Sequence, residues 1–211
     1  MSGHGASVPR VASTESTPST PSTEVQGRCF GDGDQLYAEY HDTEWGVPVR
    51  GESELYERFS LEAFQSGLSW LTILRKRPAF RTAFAAFDPE VVARFDEEDV
   101  ARLLADAGIV RNRAKIDATL SNARAVLGLW DAGRTLTDLV WAHAPAQRVR
   151  SPRPRVFGDV PGSTPASTAL ARELKSAGFR FVGPTTAYAS MQACGLVDDH
   201  LAGCPVVLQA H

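Results

Sequence analysis

Cysteine and histidine residues stand at both ends of the part of the chain that has a globular composition, and this arrangement strongly constrains the fold. Near the end, "DDHLAGCP" places His200 four residues before Cys204, so on a helix the two side chains would share one face. Near the beginning, "RCFGDGDQLYAEYHD" supplies Cys29 and His41. Two cysteines and two histidines are the donor set of a closed tetrahedral zinc site. The sequence therefore predicts one Zn²⁺ per chain that joins the two ends of a single domain.

A site closed by four protein ligands has no open position for water, so the predicted zinc is structural. The alternative is a zinc hydrolase, in which water would replace one of the four ligands. The third cysteine, Cys194 in "MQACGLV", lies in an apolar stretch and is expected to be a buried thiol. Because three cysteines are an odd number, a disulfide framework is not expected.

Composition divides the chain into two parts. Residues 1–26 are rich in Ser, Thr and Pro and contain no aromatic residue, so they are predicted to be a disordered tail. Residues 27–211 have the texture of a single globular domain. No apolar run approaches the ~20 residues that cross a bilayer, and no apolar signal region is present, so we expect a cytoplasmic protein without a membrane partner. We also expect the protein to be a monomer. The net charge of −3 does not indicate a nucleic-acid partner, although it leaves room for a local basic patch.

Helix start and stop signals recur through the domain and predict an all-α fold of roughly eight to ten helices. Asp88 and Thr164 each stand directly before a proline, which is the pattern of an N-cap followed by the first helical residue. Asp96 begins "DEEDVARLLADAG", and Gly108 is expected just past the end of that helix. The next helix is predicted from an apolar stripe at Ile116, Leu120, Ala123, Leu127 and Trp130.

The stretch "LLADAGIVRNRAK" places a tight turn containing Gly108 between two predicted helices. Arg111, Arg113 and Lys115 lie at the start of the second helix, where backbone N–H groups and arginines suit contacts with phosphate. The pattern resembles a DNA-binding helix-hairpin-helix. The alternative is an ordinary helix pair with a solvated basic edge. A second arginine-rich segment, "RVRSPRPR" at 148–155, is either a DNA contact or a solvated loop.

Four motifs, "YHDTEWGVP", "LEAFQSGLSW", "DAGIVRNRAKI" and "SMQACGLVDDHLAGC", together resemble the DNA-3-methyladenine glycosylase I family of bacterial base-excision repair enzymes. They occur in the family's order and cover about residues 28–204. The resemblance implies a helix-hairpin-helix glycosylase fold with a structural zinc on the four cysteine and histidine ligands. It also implies double-stranded alkylated DNA as the partner and hydrolysis of the N-glycosidic bond of 3-methyladenine.

The resemblance also assigns the site residues. The base pocket would be lined by Tyr37, Tyr40, Glu62 and Trp70. Phe30 is expected where the family usually has a tryptophan two residues after the first zinc cysteine, in a loop that is one residue shorter here. Leu68 in "FQSGLSW" is assigned to the DNA-contacting surface, together with the hairpin residues.

Taken alone, these residues have simpler interpretations. Glu62 would be a solvated helix glutamate, and Tyr40 and Trp70 would be core aromatic residues. A glycosylase gives them a purpose, because a base that leaves the stack needs aromatic faces and a polar group that reads its edge. Methylation at N3 makes adenine a cation, which suits electron-rich rings and a carboxylate. Glu62 is therefore the predicted catalytic residue, acting by recognition and electrostatic stabilisation.

The main alternative is a non-catalytic, zinc-stapled helix-hairpin-helix module. It would bind DNA without regard to methylation, and it leaves Glu62 without a purpose. A lyase activity would need an amine nucleophile, for which Lys115 is the candidate, but the position of Lys115 on the hairpin favours a phosphate contact. The predicted glycosylase is therefore monofunctional and leaves an abasic site.

Overall fold

The computed structural model describes residues 27–149 and 151–206, and the regular structure within these ranges is helical. In chain order the α-helices are α1 (Gln35–Thr43), α2 (Glu52–Gln65), α3 (Trp70–Ala83), α4 (Pro89–Val92), α5 (Glu97–Ala105), α6 (Arg113–Asp131), α7 (Leu136–Trp141), α8 (Pro165–Ser176) and α9 (Pro184–Ala193). Short 3-10 helices lie at Ala85–Phe87 and Phe157–Asp159. An isolated bridge between Val149 and Asp198 is the only strand-like pairing in the described ranges. The predicted all-α class is confirmed.

The predicted disordered tail, residues 1–26, lies outside the described residues, as do Arg150 and residues 207–211. The expected disorder of that segment therefore stays a prediction. Within the described ranges, no helix combines the length and the apolar character that a membrane span requires.

Helices begin where the capping residues predict them. The Asp88 carboxylate accepts hydrogen bonds from two backbone N–H groups at the start of α4. Asp96 caps α5 and Thr164 caps α8 in the same way, each within a reciprocal capping box. Asn112 caps α6 by accepting the N–H of Lys115. Each cap satisfies N–H groups that have no partner inside the helix, which fixes where the helix starts.

The connection between α5 and α6 differs from the prediction at one point. Helix α5 ends at Ala105, earlier than the expected end beside Gly108. The reason is local, because the Asp106 carboxylate accepts the N–H of Gly108 at 2.7 Å and turns the chain out of the helix. The result is a short turn, residues 106–112, that leads directly into α6.

Helix α2 is the central element of the core. It packs against α3, α6, α7 and α9, and residues 55–64 within it are all buried. A run of buried phenyl rings extends from it, with Phe64 and Phe80 separated by 4.7 Å and Phe84 and Phe87 by 5.5 Å between ring centroids. Burying each such ring stabilises the fold by about 1.5–3 kcal/mol. This packing holds α2 rigidly, and one side of its last turns faces the site described next.

Candidate active site and metal centre

A cavity of about 290 Å³ lies between the segment that precedes α1 and the helices α1, α2 and α9. The five residues predicted for the base pocket all line it: Phe30, Tyr37, Tyr40, Glu62 and Trp70. Trp45, Phe157 and Gln192 line it as well and were not predicted. Its volume is near the lower end of the range typical of small-molecule sites. The structure therefore gathers residues that lie far apart in the sequence around one small space.

Aromatic rings form most of the cavity wall. The rings of Tyr40 and Trp70 lie 5.3 Å apart between centroids, and those of Phe30 and Tyr37 lie 4.8 Å apart. Trp45 meets Phe30 edge-on at 5.1 Å. Tyr40 is almost fully buried, and burial raises the pKa of its hydroxyl well above the ordinary value. The wall therefore presents neutral, electron-rich faces, which suit a flat ligand with positive charge.

Glu62 is the only acidic residue that lines this cavity in the described part of the chain. The residue is 7% exposed, so it is not the solvated helix glutamate of the simpler interpretation. Burial raises the pKa of its carboxyl to about 8, and the charge of Arg58, one turn earlier on α2, opposes this shift. Arg58 is itself held by Glu44 at 2.5 Å. Because no hydrogen bond to the Glu62 carboxyl occurs among the described residues, the group is available to a ligand.

Three of the four predicted metal ligands meet beside the cavity. The ligand atoms of Cys29, His41 and Cys204 all lie within 4.8 Å of one another. His200 is adjacent, with its ring centroid 5.0 Å from that of His41. Its Nε2 atom is buried, and no group in residues 27–149 and 151–206 forms a hydrogen bond with it. A buried imidazole nitrogen without a partner is costly unless something binds it.

Carboxylates hold both histidines in the orientation that metal binding needs. The Nδ1 atom of His41 lies 2.8 Å from Asp42, and the Nδ1 atom of His200 lies 2.7 Å from Asp198. Each contact directs the Nε2 atom of the ring toward the cluster, as is usual for a metal-bound histidine, and the Nε2 atom of His41 accepts the backbone N–H of Cys29 at 3.2 Å. Burial, together with the neighbouring Cys204 thiol, raises the pKa of the Cys29 thiol to about 12, so its thiolate needs a nearby cation. The residues present therefore fit a metal ion.

The cysteine and histidine cluster also supports the cavity wall. Phe30 packs edge-on against the ring of His41 at 4.8 Å, and Trp45 packs against His200 at 4.6 Å. Both aromatic residues line the cavity. Any group that fixes the two histidines therefore also fixes one side of the cavity.

Comparison with known proteins identifies this combination of fold and site. A family model described as methyladenine glycosylase matches residues 30–207. The chain belongs to the methyladenine glycosylase family. It is 48% identical to DNA-3-methyladenine glycosylase 1 of Escherichia coli (strain K12) over 81% of this chain and 91% of that protein. The DNA-3-methyladenine glycosylase of Haemophilus influenzae (strain ATCC 51907 / DSM 11121 / KW20 / Rd) is 41% identical over 84% of this chain and 96% of that protein.

Solved structures agree with the sequence comparison. A crystal structure of 3-methyladenine DNA glycosylase I superimposes on this chain with a TM-score of 0.81 at 48% identity. The match covers 84% of this chain and 98% of that one. The predicted membership of the family, made from the four motifs, is confirmed.

The segment that precedes α1, where the resemblance predicts a shorter loop with Phe30 in place of a tryptophan, packs closely against α1. Gly31, directly after Phe30, has a φ of +97°. A Cβ atom there would lie 2.8 Å from the backbone nitrogen of Ala38, so only glycine lets this loop pack directly against α1. This close approach lets Phe30 line the cavity although the family's tryptophan is absent.

Of the hairpin side chains, the structure leaves one exposed and unpaired. Arg111 is exposed and makes no ion pair in the described ranges, whereas Arg113 pairs with both Glu97 and Asp117 at 2.9 Å. Leu68 is also exposed, in the turn between α2 and α3. Arg111 and Leu68 are therefore the residues predicted to contact DNA whose side chains are exposed and make no ion pair in the described ranges.

Lys115 differs from the prediction. Its side chain is buried, and its ammonium group donates to the carbonyl oxygens of Phe64 at 2.8 Å and Ser66 at 2.7 Å. It therefore caps the end of α2 and is not free to contact phosphate, which corrects the expected role. A second lysine, Lys76 on α3, donates from its ammonium group to the carbonyl oxygens of residues 107–109 at 2.9 to 3.4 Å. Lys115 therefore links the start of α6 to the turn that carries Leu68, and Lys76 links α3 to the hairpin turn.

The arginine-rich segment 148–155 is partly committed to the fold. Arg148 donates to the carbonyl oxygen of Gly195 at 2.6 Å, and Arg153 pairs with Asp198 at 3.2 Å. Asp198 in turn orients His200. Arg153 therefore supports the cysteine and histidine cluster through Asp198, and Arg148 holds the chain near the end of α9. Neither contact was predicted for a segment that was interpreted as a DNA contact or a solvated loop.

Proposed function

We propose that this chain is a base-excision repair DNA glycosylase that hydrolyses the N-glycosidic bond of 3-methyladenine in alkylated DNA. The observation that carries the proposal is the Glu62 carboxyl, which is buried in a cavity walled by Tyr40 and Trp70 and forms no hydrogen bond within the described ranges. The named relatives, which match over most of the chain, are DNA-3-methyladenine glycosylases.

Binding would require the damaged nucleotide to leave the helix and enter the cavity. The rings of Tyr40 and Trp70 contact each other, with 5.3 Å between centroids, so the base would stack on the wall that they form and would regain the stacking that it loses. The electron-rich faces of these rings would also attract a cationic base. Burial raises the pKa of Glu62 to about 8, so this carboxyl is near the point at which it exchanges a proton in neutral solution. A cationic base would favour the carboxylate form and pair with it. An uncharged adenine would not, which gives the site its selectivity for damage.

The chemical step needs little from the protein once the cation is bound. The bond between C1′ and N9 breaks, its electron pair moves to the base, and the base leaves as a neutral molecule. The deoxyribose develops oxocarbenium character, water adds to C1′, and the water proton passes to solvent. Glu62 would hold the charged base in place and stabilise the positive charge as it passes to the deoxyribose, and the pocket would supply orientation. The product in DNA is an abasic site.

The proposed activity is monofunctional. A lyase needs an amine that can attack C1′, and no lysine lines the cavity among the described residues. The ammonium group of Lys115, the earlier candidate, is bonded to the carbonyl oxygens of Phe64 and Ser66. These contacts support hydrolysis without cleavage of the strand.

For the metal centre we propose a structural zinc held by Cys29, His41, His200 and Cys204. Zinc would supply a crosslink between the start and the end of the domain, and with four protein ligands it would leave no site for a reacting water. This distinguishes the proposal from a zinc hydrolase. The His41 and His200 rings that would bind zinc also support Phe30 and Trp45, so the metal would stiffen the cavity wall.

For the DNA-binding surface we propose that helices α5 and α6 act as a helix-hairpin-helix on double-stranded DNA. Gly108 would let the backbone approach, Arg111 and Arg113 would contact phosphates, and Leu68 would touch the duplex near the displaced base. Nothing in this arrangement needs a second subunit, so the proposed active form is a monomer.

The test is to incubate the protein with methylated double-stranded DNA and to identify the released base by chromatography. The expected result is free 3-methyladenine together with intact strands that break only after alkali treatment. Glu62→Gln should release much less, whereas Glu54→Gln, an exposed glutamate on the same helix, should act as the unmodified protein does. DNA binding without release of any base would instead support a non-catalytic module.

A further inference from the structure

Gln192 lies near the end of α9 and lines the same cavity as Glu62. Its side-chain nitrogen donates to the Asp199 carboxylate at 2.9 Å. The hydroxyl of Tyr188 binds the same carboxylate oxygen at 2.5 Å. Asp199 is 2% exposed, so this contact is enclosed by protein.

The contact with Asp199 decides which way the Gln192 amide points. A carboxylate accepts hydrogen bonds and has none to donate, so the NH₂ group of the amide must face it. The amide oxygen is therefore the atom that Gln192 offers elsewhere. Within residues 27–149 and 151–206, nothing donates a hydrogen bond to that oxygen, and it is not sealed from solvent. A residue that lines the cavity therefore has an acceptor oxygen that is free for a ligand, and the contact with Asp199 fixes the orientation of the amide before any ligand enters.

This fixed acceptor complements Glu62. Because burial raises the pKa of Glu62 to about 8, its carboxyl exists in both protonation states near neutral pH. In its protonated form it can donate to an acceptor as well as accept from a donor. Glu62 alone therefore discriminates poorly between a base that presents a donor and one that presents an acceptor. The oxygen of the Gln192 amide, held by Asp199, can only accept.

We infer that Gln192 is a specificity-determining residue, whose oxygen accepts the exocyclic amine of the flipped adenine and rejects a base that carries a carbonyl oxygen there. The inference rests on the proposed glycosylase function and deepens it. At this edge adenine offers an N–H donor, and guanine offers O6. A site built around a fixed acceptor discriminates strongly against a ligand that brings a second acceptor, because both are then left unpaired.

The test measures single-turnover release of 3-methyladenine and of 3-methylguanine from methylated DNA. Gln192→Met keeps the length of the side chain and removes the amide. The ratio of the two rates should fall by about tenfold in this variant, mainly because 3-methylguanine is no longer opposed. Gln35→Met, the same replacement at an exposed position on α1, should leave the ratio unchanged. A ratio in Gln192→Met within twofold of the unmodified protein would overturn the inference.

Asp199→Asn provides a second, independent variant. An asparagine can donate as well as accept, so the Gln192 amide is free to turn its NH₂ group toward the cavity. The rate ratio should then narrow even though Gln192 is intact. A full ratio in Asp199→Asn would overturn the argument that Asp199 sets the orientation. If the unmodified protein releases neither base, the proposed function itself fails, and this result is distinct from active release with an unaltered ratio.

Discussion

The Nε2 atom of His41 lies 3.5 Å from the sulfur of Cys204, although the two residues are separated by 163 positions. The contact joins the beginning of the described domain to its end. Phe30 and Trp45 pack on the histidines of the same cluster and also line the cavity. The cluster therefore links the closure of the fold to the shape of the base-binding wall.

Removing one ligand should separate the metal from the protein and weaken the fold. Cys204→Ser is expected to lower bound zinc and the melting temperature together, because the crosslink between the two ends is lost. Metal analysis and thermal unfolding measure the two effects. Cys194→Ala is the matched control, since Cys194 is buried outside the cluster and its loss should leave zinc content unchanged. A Cys204→Ser protein that loses its metal but keeps its melting temperature would show that the zinc crosslink does not stabilise the fold.

Glu62 should make stability depend on pH in a defined direction. The ordinary pKa of 4.5 applies in the unfolded chain and a pKa of about 8 in the folded one. Between these values the folded state binds more protons, so stability falls as the pH rises. Urea unfolding of the unmodified protein and of Glu62→Gln at pH 5 and pH 8 isolates this effect. From pH 5 to pH 8 the unmodified protein should lose on the order of 3 kcal/mol more unfolding free energy than Glu62→Gln does. If the unfolding free energies of the two proteins change by the same amount between pH 5 and pH 8, the raised pKa assigned to Glu62 is wrong.

Arg111 and Lys115 should give opposite results, because one is exposed and the other is buried. Arg111→Gln should weaken DNA binding and reduce the salt slope by about 1, with stability changed by less than about 0.5 kcal/mol. Lys115→Met should instead cost about 1–3 kcal/mol of stability, because the carbonyl groups of Phe64 and Ser66 lose their donor. Salt-dependent binding and urea unfolding separate the two. A reduced salt slope in Lys115→Met at unchanged stability would restore the phosphate contact that the structure argues against.

Deleting residues 1–26 should change little. The composition of that segment, without aromatic residues, cannot supply a packed structure, and the family match begins at residue 30. The truncated protein is expected to keep its melting temperature and its rate of base release. A large loss of rate would assign the segment a part in binding DNA.

Local signals in the sequence predicted the helices well, since a cap and the residues it caps are neighbours in the chain. Asp88, Asp96 and Thr164 begin helices where their side chains can accept backbone N–H groups. The cysteine and histidine set could be predicted because few other residues serve as ligands, whatever the path of the chain between them.

Features that depend on long-range packing could not be predicted. Lys115 is buried because it bonds to the carbonyl groups of Phe64 and Ser66, which lie about fifty positions away in the sequence. Phe157 and Gln192 reach the cavity from distant segments and carry no local sign of a binding role. Trp45 lies inside the motif "YHDTEWGVP", but nothing in its local sequence distinguishes it from a core aromatic residue. Only the tertiary structure shows that it packs against His200 and lines the cavity. The sequence therefore predicted the residues that carry the chemistry of the site, and the tertiary structure was needed to identify the remaining residues that line the cavity.

The central claim is that this cavity removes 3-methyladenine and that Glu62 reads the base. Single-turnover release of 3-methyladenine and 3-methylguanine from methylated DNA, by the unmodified protein and by Glu62→Gln, tests it most directly. Both bases carry the cationic ring, so the aromatic wall should favour them alike, and the difference must arise at the exocyclic edge. We predict that the unmodified protein releases 3-methyladenine about tenfold to a hundredfold faster, and that Glu62→Gln narrows the gap because its amide can donate to O6. Equal rates for the two bases in the unmodified protein would contradict the account.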